Sequence, residues 1–261
     1  MSRTVAVLQS NYLPWKGYFD IIHDVDLFIF YDDVQYTKND WRNRNKVKVP
    51  GGTAWITVPV GQALDRRICD VQINDHRWQE KHWRTWRQYY GQTPHFDLCE
   101  DFLREIYVER RWRSLSELNQ QLIVAIARNF LRITTQFADS RDFPVAGRRL
   151  DRLLGLLRAA GATRYVSGPA ASGYIDPERF SAAGIELIFK SYDGYPEYPQ
   201  RFPPFEHSVS ILDVVCNMGL DSSFYVWGWR AAASVPVPTP LSVGRADASA
   251  PQTHRSRSDS G

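Results

Sequence analysis

The segment "QSNYLPWKGYF" follows a short β-branched run and carries more hydrogen-bonding and aromatic side chains than a plain connection needs. Gln9 and Asn11 are suited to hold hydroxyl or amide groups of a ligand. The rings of Tyr12, Trp15 and Tyr18 can stack on that ligand or shape a pocket around it. A helix cap would explain Asn11, but it would not explain the rings. The segment therefore predicts one wall of a binding site.

A second polar segment, "YDDVQYTKNDWRNRNKVKV", comes directly after a buried run. Asp32 and Asp33 are adjacent and face opposite ways in an extended chain, so they cannot act as one dyad or hold one metal ion. Cations then alternate with other residues and fall on one side of an extended segment. Such a stripe can clamp phosphate or carboxylate, because guanidinium groups offer paired donors. The same pattern also fits a solvated strand face, which the residues alone favour. The stripe consists of Arg42, Arg44, Lys46 and Lys48.

Two further segments carry polar groups at predicted element ends. "SGPAASG" precedes a helix with small residues that can present backbone N–H groups to an anion, but it matches neither nucleotide-binding glycine pattern. "EHSVSILD" places His207 just before the last helix, which Ser208 or Ser210 can cap. His207 is a candidate general base, and bonding to the backbone at the helix start is the alternative.

The stretch "HRWQEKHWRTWRQYY" has helical spacing, with Arg77, Lys81 and Arg84 on one face and rings on another. The basic face is suited to dock RNA, an acidic carrier protein or the body of the same chain. Packing of the Trp face in the core is the simpler interpretation.

The elements that position these residues alternate along the chain. A βαβ unit is predicted by "TVAVLQS", "GYFDIIHDVD" and "LFIFYDDV". A hairpin around Pro-Gly-Gly is predicted by "NKVKV" and "AWITVPV", and a further strand by "DRRICDVQI". We expect an α/β fold: a mostly parallel sheet with flanking helices, a β-hairpin and a helical insertion at about 74–132. Residues 1–232 form one domain, and the Ala, Pro and Ser-rich residues 233–261 a disordered tail. Ligands of such sheets bind at the carboxyl ends of the strands.

Composition narrows the class of protein. The 261 residues are 43% hydrophobic, with a net charge of +3 and three cysteines too far apart for a metal or redox pair. The sequence lacks the GxSxG, HExxH, Walker and CxxC patterns and therefore argues against standard serine hydrolase, zincin and P-loop chemistry. No cofactor and no metal site is expected. Without a long apolar run, a cytoplasmic protein with no membrane contact is expected.

Several of these segments together resemble the WbqC-like protein family. The resemblance spans roughly residues 4–220, and its specific part is Gln-x-x-Tyr-x-Pro-Trp-x-Gly-Tyr-Phe, then an Asp-Val-Gln strand end and an Arg-Asn-Arg stretch. The family commonly begins with His-Gln-Pro, where this chain has Leu8, Gln9 and Ser10. The positions that match the family are Gln9, Tyr12, Pro14, Trp15, Gly17, Tyr18, Asp33, Gln35, Arg42, Asn43, Arg44, Ser167, Gly168, Tyr174, Gln200, Ser210 and Asp213.

The resemblance implies tailoring in surface-polysaccharide or natural-product biosynthesis. It also implies a site formed by the three polar segments that follow predicted strands, "QSNYLPWKGYF", "YDDVQYTKNDWRNRNKVKV" and "SGPAASG". Our leading hypothesis is a transferase that moves an acyl or aminoacyl group to an amine of an amino sugar or amino-acid-like metabolite. Arg42 and Arg44 would hold an anionic part, and Asp33 or His207 would take the amine proton. The donor would be a small molecule or bound to a carrier protein or tRNA.

Two other readings stay open. One is nucleotide-dependent activation on a HUP-like sheet, since the strand, polar turn, helix and second strand resemble the start of HIGH-type nucleotidyl transferases; a HIGH histidine pair is absent. The other is a non-catalytic protein that binds a glycan or a carrier.

Overall fold

A computed structural model describes residues 2–173 and 175–233. The expected tail at 233–261 lies outside the described residues, apart from Ala233. Within the described part there are seven strands, in chain order β1 (Thr4–Leu8), β2 (Leu27–Phe30), β3 (Arg44–Val49), β4 (Gly52–Thr57), β5 (Gln136–Asp139), β6 (Arg164–Ser167) and β7 (Glu186–Phe189). The α-helices are α1 (Lys16–His23), α2 (Arg77–Tyr90), α3 (Phe96–Arg104), α4 (Leu115–Asn129), α5 (Arg149–Ala159), α6 (Pro177–Ala182), α7 (Ile211–Met218) and α8 (Trp229–Ala233).

Five strands form one parallel sheet in the order β5-β2-β1-β6-β7, which confirms the α/β fold with a mostly parallel sheet. From β1 the chain adds β2 and then β5 on one side of the sheet. It then crosses to the other side of β1 and adds β6 and β7. The strands β1 and β2 pair over four residues, up to Leu8 and Phe30. By contrast, β1 and β6 pair only at Thr4 and Val5, although both strands continue. These two central strands therefore diverge toward their carboxyl ends.

Helices cover both faces of the sheet. Along β1, Ala6 packs into one core, whereas Val5 and Val7 pack into the other. This alternation follows from the two-residue period of a strand. The larger core contains side chains of α1, α2, α3, α4 and α7, and the smaller one contains side chains of α5 and α6. No helix among the described residues is long and apolar enough to cross a membrane.

The helical insertion and the helix ends follow their sequence signals. The helices α2, α3 and α4 lie between β4 and β5. The Ser114 hydroxyl accepts from the Glu117 amide at 3.3 Å and so caps α4. Gly161 and Gly184 follow α5 and α6 with φ of +68° and +70°, a backbone region that favours glycine.

The hairpin is confirmed and one predicted strand is wrong. The strands β3 and β4 pair antiparallel around Gly51, whose φ is +76°. The stretch "DRRICDVQI", however, forms a 3₁₀ turn at Ile68–Asp70 rather than a strand. Ile68 and Val71 are both buried in the larger core, and the turn places these two apolar residues, three apart, on the same side.

Candidate functional site

The strand order of the sheet reverses between β1 and β6. Parallel α/β sheets bind ligands at such a switch point, outside the carboxyl ends of the strands. The loop at residues 9–15, called the β1–α1 loop here, follows β1, and Ser167 and Gly168 lie at the end of β6. The Ser167 side chain is buried, and the Tyr192 hydroxyl lies 3.3 Å from where a Cβ on Gly168 would stand. Tyr174 lies outside the described residues.

Arg42 joins the two polar residues of the β1–α1 loop. Its guanidinium donates to the side-chain oxygens of Gln9 and Asn11, and it lies 3.7 Å from Asp40. Burial lowers the pKa of Arg42, and nearby Asp40 opposes that shift. Because a guanidinium can only donate, the amide oxygens must face Arg42. The amide N–H₂ groups of Gln9 and Asn11 are therefore directed away from it and are available as donors.

The hairpin fixes the path of this loop. Leu13 has φ of +45°, which is uncommon for a residue with a Cβ. Asn45, fully buried on β3, donates to the carbonyl oxygens of Tyr12 and Leu13 at 3.2 and 2.6 Å. The Ile211 amide at the start of α7 donates to Pro14 O at 2.9 Å. Loop, hairpin and α7 are thus held together around one point.

Two of the three rings expected to face a ligand lie in the core instead. The Tyr12 hydroxyl contacts His82 Nδ1 at 2.8 Å and the Tyr107 hydroxyl at 2.5 Å, and the ring has no exposed surface. Tyr18 donates to Gln9 O at 3.0 Å, and its ring packs 5.4 Å from that of Phe28. Both residues support the β1–α1 loop from inside.

Trp15 lines a cavity of about 260 Å³ beside the loop. Its ring lies over Gly17, where an added Cβ would come within 2.3 Å of the indole. Gly17 is therefore required for this ring position. The remaining residues that line the cavity come from the loop, the hairpin region and the segment before α7. They are Asn11, Pro14, Trp41, Asn45 and Ser208.

Lys16, which follows Trp15 in the chain, has an enclosed side chain. It is 1% exposed, and its ammonium lies 4.8, 5.6 and 6.0 Å from the ring centres of Tyr195, Tyr198 and Phe205. The only acceptor found for it among the described residues is Pro196 O, at 3.4 Å. Burial lowers the pKa of Lys16 to about 8, against the opposing charges of Asp213 and Glu197.

His207 shares a ring neighbour with Lys16. Its imidazole packs 4.6 Å from the ring of Phe205, and it precedes Ser208, which lines the cavity. Burial lowers the pKa of His207, and the charge of Lys16 lowers it further. The imidazole is therefore neutral at pH 7. Its Nδ1 atom is buried with no hydrogen-bond partner among the described residues.

The paired aspartates have separate partners. Asp32 is fully buried and accepts from the Ser10 amide at 2.8 Å and the Ser116 hydroxyl at 2.5 Å. Asp33 accepts from the Ser140 hydroxyl at 2.6 Å and forms an ion pair with Arg152. Asp33, expected as a catalytic base, is thus placed in an ion pair outside the lining of the Trp15 cavity.

Several other predicted site residues support the structure around the cavity. Asp213 is fully buried and accepts from Tyr90, Tyr198 and Gln200 at 2.8, 2.6 and 2.7 Å. Burial raises its pKa, although these donors oppose the shift. Ser210 caps α7 through the Leu212 amide at 3.3 Å.

Two more of the predicted residues lie near the hairpin. Asn43 accepts from the Tyr36 hydroxyl at 3.0 Å and donates to Val58 O at 2.8 Å. Gln35 is exposed and pairs through its backbone with Arg67.

The predicted cation stripe is divided by the fold. Lys48 is fully buried and donates to Pro204 O at 2.5 Å. Arg42 donates hydrogen bonds to Gln9 and Asn11 of the β1–α1 loop. Only Arg44 and Lys46 lie on the outer face of the hairpin, over the ring of Trp55.

The basic face of α2 is largely neutralised by its own neighbours. Arg77 lies 2.7 Å from Asp75, and Arg84 forms an ion pair with Glu80. Of the three cations expected to dock a macromolecule, Lys81 alone has no carboxylate within 4.0 Å among the described residues.

A cluster of Asp20, His23 and Asp24 has the spacing of metal ligands, but cations already occupy its carboxylates. Asp20 accepts two bonds from Arg230 at 2.7 Å and lies 2.9 Å from Lys190. The cluster is an ion-pair network that attaches α8 to α1.

Comparison with known proteins identifies the family. The model of the WbqC-like protein family matches residues 9–224. The chain belongs to the WbqC-like protein family. It is also 43% identical over 226 residues to the uncharacterized protein Rv1507c of Mycobacterium tuberculosis, an alignment that covers 86% of this chain and 97% of that protein. No solved structure gives a significant match. Family membership confirms the resemblance seen in the sequence and leaves the reaction to be inferred from the site.

Four residues near the site are not among the predicted ones. Trp41 and Asn45 line the cavity, whereas Lys16 follows Trp15 in the chain and the ring of Trp55 lies 5.3 Å from that of Trp41. The patterns around Trp41, Asn45 and Trp55 indicate only a charged stretch and a strand. One signal was available: only six of the 32 basic residues are lysine, so a lysine between two ring-bearing residues of a predicted binding loop is unusual.

Proposed function

We propose that this protein is a biosynthetic tailoring enzyme that transfers an acyl or aminoacyl group to an amine of an amino sugar or amino-acid-like metabolite. The cavity beside Asn11 and Trp15 is its reaction site. The observation that carries the proposal is the cavity lined both by Asn11, in the loop that follows β1, and by Ser208, next in sequence to the neutral imidazole of His207. The strand order of the sheet reverses at β1, which supports a site there. Family membership supports a tailoring role.

The groups around the cavity suit amide formation. The attacking amine must lose a proton as its nitrogen bonds to the acyl carbon, and His207 is neutral and able to accept that proton. The carbonyl oxygen becomes negative in the transition state. The amide N–H₂ groups of Gln9 and Asn11, oriented by Arg42, are suited to donate to it. The bond from the carbonyl carbon to the donor's leaving group then breaks.

Lys16 supports this assignment of the base. Its charge, close to His207, lowers the pKa of the imidazole and so keeps it ready to take a proton. Asp33 is the weaker candidate for this role, because its carboxylate is already paired with Arg152.

The test is a product assay. The purified protein is mixed with thioester and aminoacyl donors and with amino-sugar acceptors, and amide products are detected by mass spectrometry. We expect a product from the wild type and a rate lowered by about 100-fold in His207→Ala, the scale of a lost general base. The control Arg158→Ala changes an exposed residue of α5 and should keep the wild-type rate. Saturable binding of donor and acceptor without any product would instead indicate a non-catalytic binding protein.

A second candidate function is nucleotide-dependent activation of a carboxylate. The strand order is the specific observation in its favour, because doubly wound sheets of this order bind nucleotides at the switch point. The same assay separates the two functions when ATP is added or withheld. A product that forms only with ATP, together with release of pyrophosphate, would favour activation over direct transfer.

A further inference from the structure

Two tryptophans lie exposed on the outer face of the hairpin region. Trp41 and Trp55 are 39% and 45% exposed, and their ring centres lie 5.3 Å apart at an angle of 39°. Exposed indoles offer flat surfaces on which the ring of a ligand can stack. Trp41 also lines the cavity, so this indole pair continues the wall of the proposed reaction site.

Two cations lie on the same face. The guanidinium of Arg44 lies 4.2 Å from the ring centre of Trp55, and the ammonium of Lys46 lies 5.5 Å from it. Lys46 is directly opposite Trp55 in the hairpin, and Arg44 is two residues before Lys46, so all three side chains leave the same face.

Neither cation forms an ion pair within the described residues, although the charge of Arg44 helps to lower the pKa of nearby Asp40. Among the described residues, no carboxylate lies within 4.0 Å of Arg44 or Lys46. Arg44 donates to Asn39 O, and its buried Nε atom has no acceptor in the described part of the chain. Two cations without an ion pair, beside stacking rings, match a ligand that combines a ring with a doubly charged anion.

We propose that this face is a binding subsite for a phosphorylated ring compound. The ring stacks on Trp41, and the phosphate lies between Arg44 and Lys46. Phosphate fits better than a single carboxylate, because it carries up to two charges and three acceptor oxygens for two cations. The assignment deepens the proposed function and rests on it for one point, that the other end of the ligand reacts in the cavity.

The ring and its phosphate can come from a nucleotide or from a sugar phosphate, and calorimetric titration of the full chain distinguishes them. The probes are uridine 5′-diphosphate, glucose 1-phosphate, glucose and inorganic phosphate. We expect at least one phosphorylated ring compound to bind about tenfold or more tightly than glucose or phosphate alone, because stacking and ion pairing act together. Tighter binding of uridine 5′-diphosphate would indicate that the ring comes from a nucleotide. Tighter binding of glucose 1-phosphate would indicate a sugar phosphate.

Matched variants locate the site. Trp41→Ala and Arg44→Ala should each weaken binding by about tenfold or more, the scale of a lost stacking or ionic contact. Trp41→Phe retains a ring and should stay within about threefold of the wild type. The controls are Leu98→Ala, at a residue 41% exposed on α3, and Arg158→Ala. Both should bind like the wild type.

Three results would overturn the subsite. These are no binding of either phosphorylated ring compound, equal binding of inorganic phosphate alone, or unchanged affinity in Trp41→Ala and Arg44→Ala. Since the titration contains no acyl donor, it is independent of the product assay. Binding that depends on Trp41, without amide product under any condition, would leave the subsite intact and refute the transferase. Amide product from the wild type, together with unchanged ligand affinity in Trp41→Ala and Arg44→Ala, would refute the subsite and leave the transferase intact.

Discussion

Arg42 and Arg44 are two residues apart and have different surroundings. Arg42 is enclosed and bonds Gln9 and Asn11, whereas Arg44 lies on an exposed face over Trp55. We expect Arg42→Ala to lower the free energy of unfolding by about 2–4 kcal/mol, because two amide oxygens lose their charged donor. Arg44→Ala should change it by less than about 1 kcal/mol. Urea denaturation of both variants measures the difference.

The two variants serve as controls for each other, since each removes one arginine from the same segment. Equal and small losses in both would mean that Arg42 does not support the β1–α1 loop. In that case its contacts with Gln9 and Asn11 would be free to exchange for contacts with a ligand.

Lys16 gives a prediction for the pH dependence of stability. The unfolded chain keeps the Lys16 proton up to about pH 10.5, whereas the folded chain loses it near pH 8. The folded state is therefore penalised below pH 8, and the penalty is relieved as pH rises from 8 to 10.5. Lys16→Met keeps the length of the side chain and removes the amine. We expect this variant to be more stable than the wild type at pH 7, with a difference that shrinks toward pH 10.5.

Urea denaturation of wild type and Lys16→Met at several pH values tests this, because titrating groups that do not interact with Lys16 cancel in the difference. Measurements above pH 8 avoid the titration of His207, whose pKa the charge of Lys16 lowers. A Lys16→Met protein that is less stable than the wild type at pH 7 would contradict the prediction. It would show that contacts with the rings of Tyr195, Tyr198 and Phe205 favour the charged amine more than burial opposes it.

At the scale of elements, α1 begins with a close contact between a ring and a glycine. A Cβ on Gly17 would come within 2.3 Å of the Trp15 indole, so Gly17→Ala must displace that ring. We expect a loss of about 1–3 kcal/mol in the free energy of unfolding from overpacking, together with weaker ligand binding. The matched control is Gly52→Ala on β4, where an added Cβ meets no atom within 4 Å. Gly17→Ala with wild-type stability and binding would show that the ring position is not needed.

Local signals predicted most of the elements. Buried β-branched and aromatic runs predicted β1 and β2, and glycines with positive φ ended α5 and α6 where expected. The Ser114 cap and the hairpin turn are also local features. The stretch around Ile68 failed because its apolar residues are also compatible with a turn, and only packing decides between the two.

Contacts distant in sequence decided what local signals could not. Tyr12 reads as a ligand-facing ring, yet its hydroxyl bonds His82 and Tyr107, which are 70 and 95 residues away. The sequence pattern predicts Lys48 as a cation on an exposed strand face. In the structure its ammonium is buried and donates to Pro204 O, 156 residues away. The switch point of the sheet depends on strand order, which is set by pairing between β1 and β6 and has no local signature.

At the scale of the whole molecule, charge separates the possible donors. A donor attached to tRNA or an acidic carrier protein needs a broad cationic surface, and its binding weakens steeply with salt. The net charge is only +3, and the basic face of α2 is paired with Asp75 and Glu80. On the hairpin, Arg44 and Lys46 lie together over the ring of Trp55, a pair of cations suited to a small anion.

We therefore expect the donor to be a small molecule and α2 to be dispensable for donor binding. A combined variant with Arg77, Lys81 and Arg84 changed to Ala should bind small phosphorylated ligands like the wild type. With tRNA or an acyl carrier protein at about 0.15 M salt, we expect no saturable binding to the wild type or to the combined variant. Saturable, salt-sensitive binding of tRNA or carrier protein that disappears in the combined variant would reverse this conclusion and place the donor on α2.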